Sequence, residues 1–405
     1  MTEKQKPPLF TLNFILIWLA TFCLMMIFYT LNTTLPIYIE ELSGSVRFAG
    51  MAVTALTVSA IIARLVGGYL LDRYGRKIIF LLGVIFFLIP TIIYYWMVPV
   101  LLLIMLRFVQ GLGWGISHTS VNTIAMDILP KERLGEGTAL YTLSFSTAMA
   151  IAPAVALWFI SYYPFNQLFL ISSVVILVAI IFVVFIKYTE IIKKKESMKK
   201  SSPFKIKTFI EKKVLRPAAT GFIVMFACSS VMAFLALFAY DIGLTTAGLF
   251  FTAMAITTFI SRPFAGMIIS RAGRKGYNYN MLLALSMLII SVILLSQATQ
   301  LHHLVISGLI HGVGSGFNQS TLMVIVADLV PPEKRGRAMA TYWASIDSGV
   351  SAGSLFWGFV AAAVGYRLMY IFAIIPLGLA FVVFFAWKKI FKGTGPKGRQ
   401  AELKA

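Results

Sequence analysis

Twelve apolar stretches of roughly membrane-spanning length, parted by short polar segments, leave this chain few folds to choose from. They are Leu12–Ile37, Phe48–Leu70, Ile78–Met97, Val100–Ile124, Gly137–Ser161, Gln167–Ile186, Leu215–Tyr240, Leu244–Ile269, Tyr279–Ser296, Leu304–Val326, Ala338–Ala361 and Arg367–Trp387. About 20 residues of helix cross a bilayer core. In lipid every backbone polar group must be satisfied within the structure, so runs of this length predict helices. Charged residues are only 12% of the chain and hydrophobic ones 59%, about half the charge of a soluble domain. An all-α polytopic membrane protein is therefore expected. The first run follows a polar segment with no small-residue cleavage site, which predicts a retained helix rather than a signal peptide.

The chain also repeats itself. ARLVGGYLLDRYGRK at 63–77 returns 198 residues later as SRPFAGMIISRAGRK at 261–275. Arg64, Gly68, Arg73 and the GRK ending match Arg262, Gly266, Arg271 and a second GRK. DILPKERLG at 127–135 returns 201 residues later as DLVPPEKRG. Two related halves of long apolar helices form the plan of a transporter.

Charge sets the expected orientation. With both termini in the cytoplasm, cytoplasmic segments carry 30 of the 35 Lys and Arg, the outside carries Arg47 and Arg367, and Arg64, Arg107 and Arg262 lie within helices. This is the positive-inside pattern. The net charge of +20 is then accounted for by a cytoplasmic surface facing anionic lipid, and no segment is long enough for a basic nucleic-acid module. The segment Lys187–Arg216 holds eleven basic residues. It divides the chain into an N-terminal bundle (1–186), a basic linker (187–213) and a C-terminal bundle with a basic tail (214–405). The linker reads as a spacer on anionic headgroups, with a partner site as the other reading. No GxxxxGK[ST] motif is present, so ATP-driven transport is not expected. Cys23 and Cys228 lack metal or redox spacing and read as small buried hydrophobes. No nucleophile–base pair stands out, so an enzyme is not expected; nor is a cofactor or resident metal.

With those features together the sequence resembles the major facilitator superfamily. Gly68, Asp72, Arg73, Gly75, Arg76 and Lys77 match the family signature G-x-x-x-D-R-x-G-R-K between the second and third helices. Gly266, Arg271, Gly273, Arg274 and Lys275 match its weaker copy, with Ser270 where Asp72 stands. RFVQG, with Arg107, Gln110 and Gly111, matches the fourth-helix motif. The chain is most similar to the bacterial twelve-helix drug:proton antiporter branch. It departs from that branch at AMAIAPAVAL (148–157), where alanines replace most of the usual fifth-helix glycines, and in a first helix without an acid through Ile37. The resemblance implies twelve transmembrane helices in two pseudo-twofold-related six-helix bundles, a monomer in the cell membrane, and proton-coupled efflux of a small molecule, drug-like or anionic such as a carboxylate or metallophore. A proton-coupled importer or facilitator, and a membrane receptor or scaffold that transports nothing, remain the alternatives.

The signature residues are expected to brace a gate, with Asp127 and Glu132 as partners of its cations. Intramembrane charges are costly and functional by default. Arg107, about 10 Å into the fourth helix, and Asp347, about 15 Å into the eleventh, are the coupling candidates; the resemblance gives Arg107 a part in coupling protons to substrate. His311 falls on Gln110 when the halves are superposed in sequence, and Tyr342 falls on Tyr141. With Tyr29, Asn32, Arg64, Trp114, His118, Asn122, Arg262, Asn318, Gln319 and Trp343 they are expected to line a polar and aromatic cavity between the halves. Three intramembrane Arg against one mid-helix acid make the pore basic and favour a neutral or anionic substrate.

Overall fold

The structure is a computed structural model describing residues 7–44, 46–96, 99–188, 209–244 and 248–386. The helices before residue 187 are α1 (Leu12–Ser43), α2 (Val46–Tyr74), α3 (Arg76–Ile93), α4 (Val100–Ile128), α5 (Leu134–Tyr162) and α6 (Phe165–Phe185). Those after residue 213 are α7 (Leu215–Asp241), α8 (Gly248–Ala272), α9 (Arg274–Ser296), α10 (Leu301–Asp328), α11 (Arg335–Phe372) and α12 (Ile374–Ala386). The chain is an all-α polytopic membrane protein whose two helix bundles are in contact.

Local chemistry sets the helix ends. Thr11 caps α1, its hydroxyl accepting from the Phe14 N–H at 3.2 Å, which satisfies one of the free donors of the first turn. Gly75 (φ 98°) and Gly273 (φ 54°) make the tight turns that end α2 and α8, conformations that a Cβ would disfavour. Large apolar side chains such as Leu170, Ile171, Val174, Leu177 and Ile181 remain exposed along α6, a helical stripe suited to lipid.

Packing in the first bundle recurs in the second. The pairs α2/α4, α3/α4, α1/α5 and α1/α6 have counterparts in α8/α10, α9/α10, α7/α11 and α7/α12. The bundles meet through α2 against α11 and α5 against α8, the same pairing with the halves exchanged.

Ten helical segments among the described residues are long and apolar enough to cross a membrane, where twelve spans were expected. One, Pro332–Ala386, is 55 residues long. Inside it the expected break at 362–366 is a single residue, Gly365, at φ 81°, and α11 runs on to Phe372. Leu301–Asp328 is not among the ten, because its histidines, glycines, Asn318 and Gln319 dilute its apolar residues. The linker's KKK and KK clusters and the basic tail from 387 on lie outside the described residues.

Candidate functional site

At the end of the bundles carrying the duplicated turns, α2 and α11 touch almost backbone to backbone. A Cβ on Gly68 would lie 2.3 Å from the Ala340 Cβ. One turn further on, Asp72 reaches the start of α11. It accepts from the backbone N–H of Gly336 at 3.0 Å and of Arg337 at 3.3 Å, and from Arg337 Nε at 3.2 Å. The first N–H groups of a helix have no intrahelical partner and carry the positive end of its dipole, so a carboxylate is favoured there. Beside it, Arg76 Nε pairs with Asp127 Oδ2 at 2.7 Å, and its guanidinium also donates to the Pro332 carbonyl. Arg335 Nη1 donates to Asp127 Oδ1 and to the Met126 carbonyl, both at 2.8 Å. The side chains of Arg76 and Asp127 are fully buried. Both ends of the linker are tied in: the Tyr188 hydroxyl donates to Asp127 Oδ2 at 2.8 Å, and Glu211 pairs with Arg337 at 3.6 Å.

Of the three expected cations Arg73, Arg76 and Lys77, Arg76 makes this contact. Arg73 Nη1 instead donates to the Tyr69 hydroxyl at 3.0 Å, and its guanidinium lies 5.2 Å from the Tyr74 ring. Successive helical residues are rotated by about 100°, so the neighbour of Asp72 leaves the interface. Lys77 Nζ donates to the Val184 and Ile186 carbonyls at the end of α6, and Glu132 is exposed.

The second copy keeps the close approach but lacks the acid and two of the cations. A Cβ on Gly266 would lie 2.6 Å from the Ala139 Cβ and 2.7 Å from the Gly135 carbonyl oxygen. Ser270 replaces the acid, and its buried hydroxyl has no partner. Glu136 stands where Arg337 does and is bound by Arg133 at 2.7 Å. Arg271 and Lys275 are exposed, and Arg274 is half-buried.

Between the bundles lies a cavity of about 260 Å³. Of the expected lining, Tyr29, Arg64, Trp114, His118, Arg262, His311, Asn318, Gln319, Tyr342 and Trp343 form its wall, joined by the coupling candidate Asp347, five methionines, Phe28, Phe145 and Cys228. Arg64 of α2 binds Asp347 of α11 at 2.7 Å. Arg64 is buried, whereas the Asp347 side chain is 24% exposed. Arg64 Nη1 lies 2.6 Å from His118 Nδ1. A guanidinium only donates, so Nδ1 is the acceptor and the imidazole proton sits on Nε2. Across the cavity Arg262 donates to the Thr142 carbonyl and to Gln319 Oε1.

Five expected residues lie off the wall. Arg107 is buried on α4, with Nη1 donating to Gln110 Oε1 at 3.0 Å and Nη2 to the Leu31 carbonyl of α1 at 2.7 Å. Gln110 is also held by Tyr94 and Thr91. The GLGWG turn explains their position: Gly113 packs against the Phe87 backbone, which draws this face of α4 onto α3. Arg107 and Asp347 therefore belong to separate networks. Tyr141 is engaged with Thr21 at 3.0 Å. Asn122 donates to the His118 carbonyl at 2.5 Å, and Asn32 of α1 also falls outside the lining. The sequence reading missed Arg335 and Arg337. Their signal was legible in the second echo and the residue after it, where they replace Leu134 and Glu136 of the first half.

Known proteins share this architecture. Over 375 residues the chain is 24% identical to an uncharacterized MFS-type transporter of Methanocaldococcus jannaschii, covering 90% of this chain and 95% of that protein. It is 23% identical to the staphylopine export protein of Staphylococcus aureus, covering 87% and 91% respectively. Among solved structures, the human organic anion transporter MFSD10 superposes with a TM-score of 0.76 at 16% identity, covering 94% of this chain and 99% of that one. The Major Facilitator Superfamily profile matches residues 17–302 and 218–404. Paired bundles, a closed interface at one end and a cavity between them are joined by that match over nearly the whole length: the chain belongs to the Major Facilitator Superfamily and is a multi-pass, secondary-active transporter of small molecules.

Proposed function

We propose that the protein is a proton-coupled exporter of a small molecule, with Asp347 as its proton site and the α2–α11 contact as its gate. The observation that carries this reading is the Arg64–Asp347 pair. It joins α2 to α11 through a carboxylate that faces the cavity, on the same two helices that Asp72 ties together at the far end. Protonation of Asp347 removes the charge that holds Arg64. One inter-bundle tie is then lost, and the balance shifts toward parting of α2 and α11. A proton arriving from outside would thereby favour opening toward the cytoplasm, where substrate is loaded.

The reading takes the duplicated turns as cytoplasmic, following the Lys/Arg bias. The structure then corresponds to a state closed to the cytoplasm. It also takes the fold as twelve spans in two pseudo-twofold-related bundles. The segment 332–386 counts as two spans meeting near Gly365, and α10 counts as a span whose polar residues face the cavity and helix contacts rather than lipid.

Transport in inverted membrane vesicles under an imposed pH gradient tests the proposal. Wild-type protein should accumulate a transported compound only with the gradient. Asp347→Asn should abolish that accumulation and spare exchange of labelled for unlabelled substrate. Wild-type gradient dependence in Asp347→Asn would remove Asp347 from coupling.

A further inference from the structure

We infer that the cavity selects an amphipathic organic acid, taking its carboxylate at a shelf of hydrogen-bond donors formed by His118, Trp343, Tyr342 and Arg262. This rests on the cavity being the substrate site, and it names the chemistry that the site accepts.

Charge is the first argument. Two arginines and one acid line the cavity. Asp347 is paired with Arg64 at 2.7 Å. Arg262 binds two neutral oxygens, the Thr142 carbonyl and Gln319 Oε1. The wall thus carries one positive charge that no carboxylate balances among the described contacts. An anion gains from that charge in a dehydrated site, and a cation is repelled by it.

Unused hydrogen-bonding capacity is the second argument. His118 Nε2, Trp343 Nε1 and the Tyr342 hydroxyl are buried without partners. Because His118 Nδ1 accepts from Arg64, Nε2 carries a hydrogen and is a donor; indole N–H is a donor by nature. The three side chains adjoin one another. The His118 and Trp343 rings are 4.5 Å apart, and those of Trp343 and Tyr342 are 5.4 Å apart. A buried donor left unpaired has given up its hydrogen bonds to water without replacement. A carboxylate has about four acceptor sites and could engage several of these donors at once. An ammonium group would bring more donors to a wall already rich in them.

The rest of the wall suits the remainder of such a molecule. Met25, Met225, Met232, Met254, Phe28 and Leu288 supply an apolar surface. Unbranched thioethers adapt to varied shapes, so the head group is specified more closely than the body.

Purified full-length protein in lipid nanodiscs can be titrated calorimetrically with three probes sharing one apolar body: naphthaleneacetate, naphthaleneacetamide and naphthylmethylammonium. The carboxylate should bind about tenfold more tightly than the amide, and the ammonium most weakly. Trp343→Phe and Arg262→Gln should each weaken the carboxylate about tenfold and leave the amide within about twofold. Amide binding also shows that the variants are folded. Equal affinity for the three probes, tightest binding of the ammonium, equal losses for acid and amide, or no saturable carboxylate binding at millimolar concentration would each overturn the inference. Binding is measured without a gradient. Failure of proton-coupled flux in vesicles would therefore leave this result standing, and failure here would leave the coupling reading standing.

Discussion

The contact of α2 with α11 and that of α5 with α8 occupy matching places in the two halves, yet different forces hold them. Both depend on a glycine that lets the helices approach, Gly68 in one and Gly266 in the other. At α2–α11 the approach is overlaid by Asp72, Arg76, Asp127, Arg335 and Arg337. At α5–α8 the corresponding positions are Ser270, Arg274, Asp328, Leu134 and Glu136. Serine replaces the acid, leucine replaces one cation, and a glutamate already bound by Arg133 replaces the other. The repeat has kept the steric requirement and lost the acid of Asp72 and the cations of Arg335 and Arg337. Van der Waals contact weakens steadily as helices part, whereas a buried ion network resists loss of any one partner. A latch that responds to charge therefore belongs at α2–α11, the interface that Arg64 and Asp347 also span.

Three sets of substitutions can break or sharpen this contrast. The largest effect is expected from Arg76→Gln, which removes one of the two cations paired with the buried Asp127 carboxylate. Thermal unfolding should report a loss of roughly 3 kcal/mol, while Arg274→Gln, at a half-buried position, should cost less than about 1 kcal/mol. Equal losses would erase the asymmetry. Next, Gly68→Ala and Gly266→Ala should each cost about 1–3 kcal/mol by overpacking. Both should raise the reactivity of a cysteine introduced at the duplicated-turn end, because both interfaces share the close approach. A response in only one copy would show that the glycines are not equivalent. The smallest effect is expected from Asp72→Asn, which weakens the bonds to the start of α11. Turnover should fall about tenfold, or 1.4 kcal/mol, with substrate affinity within about twofold, and Ser270→Ala should leave both unchanged. Unaltered transport in Asp72→Asn would remove that residue from the gate.

The duplicated turns announced which helix ends come together, since their glycine spacing is a local property of the chain. The presence of Asp72 at that end was legible for the same reason. Its cations were legible only as a group: of Arg73, Arg76 and Lys77, Arg76 meets Asp127, while helical rotation turns Arg73 toward Tyr69 and Tyr74. Arg335 and Arg337 lie about 260 residues from Asp72 in the chain, and only the docking of the bundles brings them close. The cavity was legible in its residue types, because polar groups inside apolar helices need a reason to be there. Its membership was not. Arg107 and Gln110 carry the same polar signal as Arg64 and His118, yet packing of GLGWG on α3 buries them elsewhere.

By itself the sequence determined the membrane, the helices, the two halves and the charged turns, because each follows from hydrophobic run length or from spacing within one segment. Tertiary structure alone decided which arginine neutralises Asp347, which nitrogen of His118 bears the proton, and which arginines meet Asp72 and Asp127. Those outcomes depend on distances between residues on different helices. Helical periodicity sets the face on which a side chain lies, but only the docking of one bundle against the other sets what that face meets.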